Sequence, residues 1–332
     1  MKHIATIILF VLYATEIFAQ RAEILEIQSL SLPETIIDFG DDPNIAIVAI
    51  HYQKNVNIHK ADELFLDSLL VNAIANGIKE GLENSPLFED FDVPIYNIYG
   101  DVTMIDIGMQ KDELDAIYEQ SRANVVVAIE YLYIKYDTIT SIRSEKKWIN
   151  ASFYVAINTY DVKIGTNVKE YKSKSNLIFL AGYDEIKSYR ASPKVEGLKR
   201  RGVRIMGYDY AKRIVPIWET AKRMIFCDRK NDNFSKAYKS AIEEQDWATA
   251  AEHWTDVLFS EKTKDSKKAQ AMYNLALAYE MLENFDLSLK WLGNAKKMKT
   301  RINESIREYE NILKLRIGDR EILDEIFNKN KF

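Results

Sequence analysis

Few residues of this chain have the type and spacing that catalysis requires. His51 follows an apolar run typical of a buried strand, so it is a candidate base or ligand, with a hydrogen-bonded or surface role as the alternative. Cys227 is the only cysteine, which excludes an intrachain disulfide. The Gly-x-Ser-x-Gly, His-Glu-x-x-His and Gly-Lys-Ser/Thr phosphate-loop patterns are absent. We therefore predict a non-enzymatic protein without a cofactor; a hydrolase built from His51 and scattered acids stays the alternative.

Two acidic clusters carry the oxygen ligands that a hard cation prefers. They are Asp38, Asp41, Asp42 and Asn44, and Asp228, Asn231, Asp232 and Asn233. Calcium needs about six to eight oxygens, and neither cluster has the alternating spacing and distal Glu of an EF-hand. Asp and Asn also favour turns, because their side chains accept hydrogen bonds from nearby backbone N–H groups. We interpret both clusters as turns and predict no metal site.

A basic segment at residues 187–204 contrasts with the acidic chain before it. The segment holds seven basic residues and one acidic residue, whereas residues 20–186 hold 14 basic and 27 acidic ones. We expect the segment to meet an anionic partner or lipid head groups, or else to pair with its own acidic domain. The candidate contacts are Arg190, Lys199, Arg200 and Arg201. The acidic body disfavours nucleic acid, so the predicted partner is a protein or peptide of the cell envelope.

The carboxy-terminal region follows the tetratricopeptide pattern of small and large apolar residues. In "AQAMYNLALAYEMLENFDLSLKWLGNAKKM", the residues Ala276, Tyr279 and Ala295 are predicted to pack between two antiparallel helices. An earlier copy, "KAYKSAIEEQDWATAAEHWTDVL", places Trp247 at the point equivalent to Phe285. The sequence therefore predicts helical repeats that end in an atypical closing helix.

The concave side of such repeats commonly contacts a peptide. The positions expected there are Gln270, Tyr273, Leu277 and Glu280. The alternative is that the other domain or the last helix covers them. These four positions are the second set of candidate partner contacts.

Alternating strands and helices are predicted for the chain before the repeats, and they must position the other candidate residues. Apolar runs and period-two patterns predict strands at 22–30, 45–50, 93–99, 125–136, 148–160 and 168–180. Helical spacing predicts helices at 61–83, 110–122 and 203–226, the last kinked at Pro216. The predicted fold class is α+β, a mixed α/β sheet domain, followed by an all-α tetratricopeptide-like repeat domain.

The amino terminus has the pattern of a secretory leader. A cationic start precedes the apolar stretch Ile4–Ala14, and small residues follow near a cleavage point. We expect an exported chain, periplasmic or associated with the outer membrane, without a transmembrane span; a buried first helix or short anchor is the alternative. The predicted domains are a leader at 1–19, an α/β domain at 20–202, a connecting helix at 203–228 and helical repeats at 229–332.

Two phrases carry a resemblance to known families. "ENSPLFEDFDVPIY" and "DELDAIYEQSRANVVVAIEY" are similar to the small α/β domain of bacterial envelope proteins, such as the TolB amino-terminal domain and the curli-secretion lipoprotein family. The resemblance covers about residues 45–180. With the leader and the repeats added, the chain resembles an uncharacterised family of exported Bacteroidota envelope proteins. It implies a non-enzymatic scaffold or adaptor that binds protein partners through the helical repeats and the α/β domain.

Overall fold

The computed structural model describes residues 22–40, 43–53, 68–101, 108–140, 147–181 and 193–329. These residues divide into two compact units. The sheet unit comprises the described residues of 30–218 and 322–329, and the helical unit comprises 22–29 and 219–321. The predicted leader lies outside the described residues. No helix among the described residues is both long and apolar enough to cross a lipid bilayer.

The predicted fold class is confirmed, because a mixed α/β sheet domain precedes a helical region. The strands are β1 (Ala22–Ser31), β2 (Ile45–Gln53), β3 (Ile95–Asp101), β4 (Val125–Thr140), β5 (Lys147–Asp161), β6 (Thr166–Ala181) and β7 (Ile217–Phe226). The longer helices are α1 (Ser68–Glu83), α2 (Lys111–Ser121), α3 (Pro193–Ala211), α4 (Asp232–Ile242), α5 (Trp247–Phe259), α6 (Asp265–Met281), α7 (Phe285–Lys297) and α8 (Asn303–Lys329).

The main sheet has five strands in the order β3-β2-β4-β5-β6. Strand β2 is parallel to both β3 and β4, with Ile47 opposite Ile95 and Val127, and the β4–β5 and β5–β6 pairs are antiparallel. The central strands β2 and β4 begin with continuous apolar runs, as expected where helices cover both faces, whereas the edge strand β3 has the exposed residues Asn97 and Tyr99. Ile47 and Val127 pack towards α1 and α3, whereas Val48 and Val126 pack towards α2.

A β-bulge in β4 changes which side chains face the helices. The register shifts between Ile129 and Tyr131, so that Ile129 and Leu132, three positions apart, both lie in the core formed with α1 and α3. Glu130 lies at the bulge and is buried. Because a bulge inserts one residue into one strand, it re-aims the side chains beyond it.

The helix predicted over 203–226 is wrong in its second half. Helix α3 ends at Ala211, and residues 217–226 form β7, which pairs with β1 in a two-stranded sheet. In β7 the exposed positions Trp218, Thr220 and Lys222 alternate with less exposed ones, which is the period of a strand. Proline disfavours helix in the residue before it, so Pro216 ends the helical stretch instead of kinking it.

The helical unit contains two helix pairs, α4–α5 and α6–α7, joined in the same way. The connections place Gln245 and Glu283 in the left-handed region, at φ of 56° in both. Asp246 and Asn284 then cap α5 and α7, each accepting a backbone N–H bond three residues on. Trp247 and Phe285, which the sequence predicts to be equivalent, are therefore the first residues of two equivalent helices, 38 positions apart.

The predicted packing between α6 and α7 is confirmed. Ala276 and Ala295 are fully buried, and the half-buried Tyr279 packs against the same core. Ser288, which stands where the repeat usually has Ala, is also buried and donates a 2.6 Å hydrogen bond to the carbonyl oxygen of Ala276. The tetratricopeptide assignment itself stays a prediction.

Candidate functional site

The part of the basic segment that the structure describes, residues 193–204, lies on helix α3. Pro193 is the first residue of α3, where the missing N–H of proline leaves no helical hydrogen bond unmade. Arg200 and Arg201 are exposed on this helix. The helix predicted to begin at residue 203 therefore begins at Pro193 instead, and the exposed charges of the segment lie on its solvated side. Arg190 lies outside the described residues.

Helices α1 and α3 approach so closely that glycines form the contact. A Cβ atom on Gly77 would lie 2.0 Å from the carbonyl oxygen of Arg204, and one on Gly207 would lie 2.2 Å from that of Ile74. Only a residue without a side chain permits this backbone approach. The two helices therefore hold the side chains on their outer flanks close together.

Those flanks border a groove of about 1020 Å³. Its charged lining comes from both helices: Lys79, Glu80 and Glu83 from α1, and Arg200, Arg201 and Arg204 from α3. Residues of α1 and α3 that are more than a hundred positions apart in the chain thus form one polar surface in the sheet unit.

Both carboxylates of the groove already have cationic partners. The Arg204 guanidinium lies 2.9 Å from Oε2 of Glu80, and Nζ of Lys79 lies 3.1 Å from Oε1 of Glu83. Lys79 also contacts Asp92. Burial by itself lowers the pKa of Lys79, but the hydrogen bonds to Asp92 and Glu83 outweigh it and raise this pKa above its usual value.

Arg200 and Arg201 have no such partner. Neither forms an ion pair or hydrogen bond with any residue that the structure describes. The groove therefore holds two positive charges that the described protein does not neutralise, at two of the positions predicted from the sequence.

Aromatic and amide groups form one end of the groove. Asn84, just after α1, donates hydrogen bonds to the Tyr208 hydroxyl at 3.0 Å and to the Trp218 carbonyl oxygen at 3.2 Å. Asn84 and Tyr208 line the groove, and Trp218 is 47% exposed. This end thus combines hydrogen-bonding groups with apolar ring surface.

Lys199 differs from its basic neighbours. It is buried and contacts Glu196, one turn earlier on α3. The ion pair between Arg204 and Glu80 likewise neutralises a basic residue of the segment. The predicted alternative, pairing of the basic segment with the acidic domain, therefore holds for Arg204, whereas Lys199 pairs within the segment and Arg200 and Arg201 have no described partner.

The second set of candidate contacts is not exposed. Gln270, Tyr273, Leu277 and Glu280 are each at most 4% exposed. The ring centroids of Tyr273 and Tyr309 on α8 are 5.0 Å apart, so the last helix covers this side of α6. The predicted exposure is wrong, and the alternative that the last helix covers these positions is confirmed for Tyr273 and Glu280. Phe226 of β7 also packs on Tyr273, with ring centroids 5.2 Å apart. Apolar residues on α8 explain the outcome, because packing them against α6 removes apolar surface from water.

Glu280 is the centre of a buried ionic network. The Arg223 guanidinium donates to both of its carboxylate oxygens at 2.8 to 3.2 Å, Tyr309 donates to Oε2 at 2.5 Å, and Arg316 also contacts it. Burial by itself raises the pKa of Glu280, but the bonds from Arg223 and Tyr309 outweigh it and lower this pKa. Burial raises the pKa of Tyr309 well above its ordinary value, helped by the Glu280 carboxylate. The network fastens β7 and α8 to α6.

His51 lies within β2, near its carboxyl end. It is buried, its Nε2 lies 2.7 Å from Oδ1 of Asn97, and its ring stacks on Tyr99 with centroids 5.1 Å apart. Its Nδ1 has no hydrogen-bond partner among the described residues. The described neighbours of this imidazole thus include an amide and a phenol ring.

The described members of the acidic clusters serve turns and caps. Asp38 accepts a bond from the Gly40 N–H, Asn231 caps α4, and Asp228 pairs with Lys267. Asp41 and Asp42 lie outside the described residues. Among the residues that the structure describes, no three His, Cys, Asp or Glu side chains are placed to hold a metal ion.

Sequence inspection identified only Arg200 and Arg201 among the residues that line the groove, and it missed Lys79, Arg204 and Tyr208 among others. One signal was available, since Arg200, Arg204 and Tyr208 recur every four residues and so share one flank of a helix. Lys79 carried no such signal, because only the packing of α1 on α3 places it beside Arg204.

Two family models match the chain. Residues 36–226 match the family described as Domain of unknown function (DUF8603), and residues 236–315 match Domain of unknown function (DUF6340). The first match spans most of the sheet unit and includes the groove, and the second covers part of the helical unit. No curated protein shows significant sequence similarity to the chain.

Solved structures of envelope proteins resemble part of the chain. The PelC dodecamer from Paraburkholderia phytofirmans is 12% identical, with a TM-score of 0.26, and the alignment covers 57% of this chain and 99% of that one. A minor lipoprotein from Acinetobacter baumannii is 7% identical, with a TM-score of 0.28, over 51% of this chain and 89% of that one. TM-scores this low establish neither a shared fold nor a shared function.

Proposed function

The chain belongs to the family described as Domain of unknown function (DUF8603), and we propose that it is a non-enzymatic adaptor of the cell envelope that docks a protein partner in the α1–α3 groove. The groove lies inside the stretch that defines the family. The function proposed is binding, since the groove presents charge and hydrogen-bonding groups, and both of its carboxylates are held in ion pairs with Arg204 and Lys79.

The location in the envelope is supported by the amino-terminal sequence. A cationic start, the apolar stretch Ile4–Ala14 and small residues beyond it form a secretory pattern. We propose that the chain is exported and acts in the periplasm or at the outer membrane.

The observation that carries the proposal is the pair Arg200 and Arg201. Two exposed guanidinium groups beside a groove of about 1020 Å³, without a described ionic partner, suit a ligand that brings negative charge. The repeat surface is the weaker docking candidate, because α8 occupies it through Tyr309.

The hydrolase built on His51 gains no support from its described surroundings. The imidazole contacts Asn97 and Tyr99, and no carboxylate is among its described hydrogen-bond partners. A histidine base usually needs a group that orients it beside a nucleophile or water. The adaptor is therefore the only function that we propose.

Site-specific photocrosslinking in cells of the source organism tests this function. A photoreactive amino acid at Asn76, which lines the groove, is compared with one at Glu119, exposed on α2. We expect one discrete protein adduct from position 76 only, lost when R200E and R201E are added. Equal adducts from both positions, or no adduct from a folded and exported protein, would contradict the proposal.

A further inference from the structure

The charge balance of the groove indicates what its ligand must carry. Four cationic side chains and two carboxylates line it, and both carboxylates are already paired, Glu80 with Arg204 and Glu83 with Lys79. Arg200 and Arg201 are the two cationic side chains that remain without a carboxylate partner in the groove. A ligand that leaves the existing pairs intact therefore brings about two negative charges, one for each unpaired guanidinium.

The unpaired groups are arginines, which suits carboxylate recognition. A guanidinium presents its N–H donors in a rigid planar fork that matches a carboxylate with two parallel hydrogen bonds. Arg200 and Arg201 are consecutive residues of α3, so their side chains leave the helix about 100° apart. They therefore meet two separate carboxylates more readily than a single compact anion.

The uncharged end of the groove favours a peptide over a simple ion. Asn84 donates a hydrogen bond to the Tyr208 hydroxyl at this end, and Tyr208 lines the groove. Arg, Tyr and Trp are the residue types that dominate binding energy at protein interfaces. A free anion has no use for exposed ring surface, whereas a peptide can place an apolar side chain against it.

The surroundings disfavour a membrane as the occupant. Exposed acidic residues adjoin the groove, since Glu89, Asp90 and Asp92 follow α1 and Asp92 contacts Lys79. Residues 20–186 also carry 13 more acidic than basic residues. A broad anionic membrane surface is repelled by these surrounding acidic residues. A short segment that fits between the helices avoids them.

We infer that the groove binds a short acidic segment of a protein partner, with two carboxylates held by Arg200 and Arg201 and a neighbouring apolar side chain held against the ring of Tyr208. This inference rests on the proposed function. It adds the chemistry of the ligand, and it names Tyr208 as a specificity-determining residue at the end of the groove.

Fluorescence anisotropy with defined peptides tests this chemistry on the full mature chain. The probe is a labelled ten-residue peptide, Gly-Ser-Glu-Ser-Glu-Ser-Phe-Ser-Gly-Ser, and its controls carry Gln for both Glu or Ala for Phe. We expect the probe to bind at least tenfold more tightly than the Gln control and about threefold more tightly than the Ala control. Affinity should fall as salt is raised from 50 mM to 300 mM, because exposed charges are screened.

Variants assign the binding to the named residues. The double variant R200Q and R201Q should lose at least tenfold, whereas K262Q and K264Q, which remove two exposed charges in the loop before α6, should lose less than twofold. Tyr208→Ala should abolish the preference for Phe over Ala while keeping the preference for Glu over Gln. Circular dichroism verifies that each variant is folded.

Three results would overturn the inference. The first is an equal loss in both double variants. The second is full competition of the bound probe by 5 mM inorganic phosphate or by phosphatidylglycerol vesicles, which would assign the groove to phosphate groups. The third is no probe binding although the adduct at position 76 still depends on Arg200 and Arg201, which overturns the ligand chemistry while the proposed function stands.

Discussion

Glu130 shows how burial changes the chemistry of a single side chain. It is 2% exposed and accepts bonds from Tyr160 and, at 2.8 Å, from Nδ2 of Asn158. Burial raises the pKa of Glu130 more than these bonds lower it. Burial and the same carboxylate raise the pKa of Tyr160 to about 12. The protonated carboxyl is thus stabilised in the folded state.

We predict that Glu130→Gln stabilises the protein at neutral pH. Because the pKa of Glu130 is raised in the folded state, protonation of this carboxyl stabilises the fold fully below the ordinary pKa of Glu. This stabilisation is lost as the pH rises through the folded-state pKa. It amounts to about 1.4 kcal/mol for each unit by which the two pKa values differ. Glutamine carries no charge, and its amide can donate to Oδ1 of Asn158, which has no hydrogen-bond partner among the described residues. Urea unfolding between pH 4 and 8 should show that the difference in the free energy of unfolding between Glu130→Gln and wild type widens with pH.

The matched control for this prediction is Glu119→Gln, on the exposed side of α2. It should change the free energy of unfolding by less than about 0.5 kcal/mol across the same pH range. A Glu130→Gln variant that is less stable than wild type at pH 8 would show that the carboxylate is needed in its charged form.

The pairing of α1 with α3 depends on which glycines face the partner helix. Gly207 lies against the backbone of Ile74, whereas nothing lies within 4 Å of the place where a Cβ on Gly202 would be. Both glycines are interior residues of α3 and both weaken the isolated helix. Only Gly207 offsets that cost, because its missing side chain permits the close approach that forms the groove.

We predict opposite effects of alanine at these two glycines. Gly207→Ala should lower the free energy of unfolding by about 1 to 3 kcal/mol, since its Cβ would lie 2.2 Å from the Ile74 carbonyl oxygen. Gly202→Ala should raise it by up to about 1 kcal/mol, because alanine favours helix and meets no neighbour. Urea unfolding measures both. Equal effects of the two substitutions would contradict the backbone contact between α1 and α3.

The helical unit is held together by contacts between segments that are distant in the chain. Glu280 of α6 is paired with Arg223 of β7 and with Tyr309 and Arg316 of α8. Asn274 of α6 adds two bonds to the backbone of Phe226, at 2.9 and 2.7 Å. The closing helix therefore serves as part of the core of this unit.

We predict that Glu280→Gln destabilises the protein by about 3 to 5 kcal/mol at pH 7, because it leaves the buried Arg223 without its counter-charge. The lowered pKa of Glu280 contributes stability that is present above the ordinary Glu value and is lost as pH falls through the folded value. The gap between variant and wild type should therefore close in acid. Urea unfolding from pH 3 to 7 checks this.

Glu283→Gln is the matched control. Glu283 pairs with Arg320 at 3.0 Å, but both side chains are exposed, so the pair is screened by solvent. The control should cost less than about 1 kcal/mol. Comparable losses from Glu280→Gln and Glu283→Gln would contradict the structural role given to the buried network.

Local patterns were sufficient for most strands and helices. The apolar run that begins at Ile45 and the alternation in residues 148–160 lie where they were predicted, and Gly165, with φ of 70°, lies in the turn between these residues and β6. Tight packing of Ala276 and Ala295 also followed from their spacing. Each of these features depends on residues close together in the chain, so a periodicity of 2 or 3.6 residues reveals it.

Other features were decided only by tertiary structure. Nothing local indicates that β7 pairs with β1, that α8 covers Glu280, or that Lys79 and Arg204 line one groove. In each case the partners are far apart in sequence, and the arrangement that buries the most apolar surface selects them. The amino acid sequence alone determined most of the elements and the positive charge at Arg200 and Arg201; long-range packing decided which surfaces stayed open.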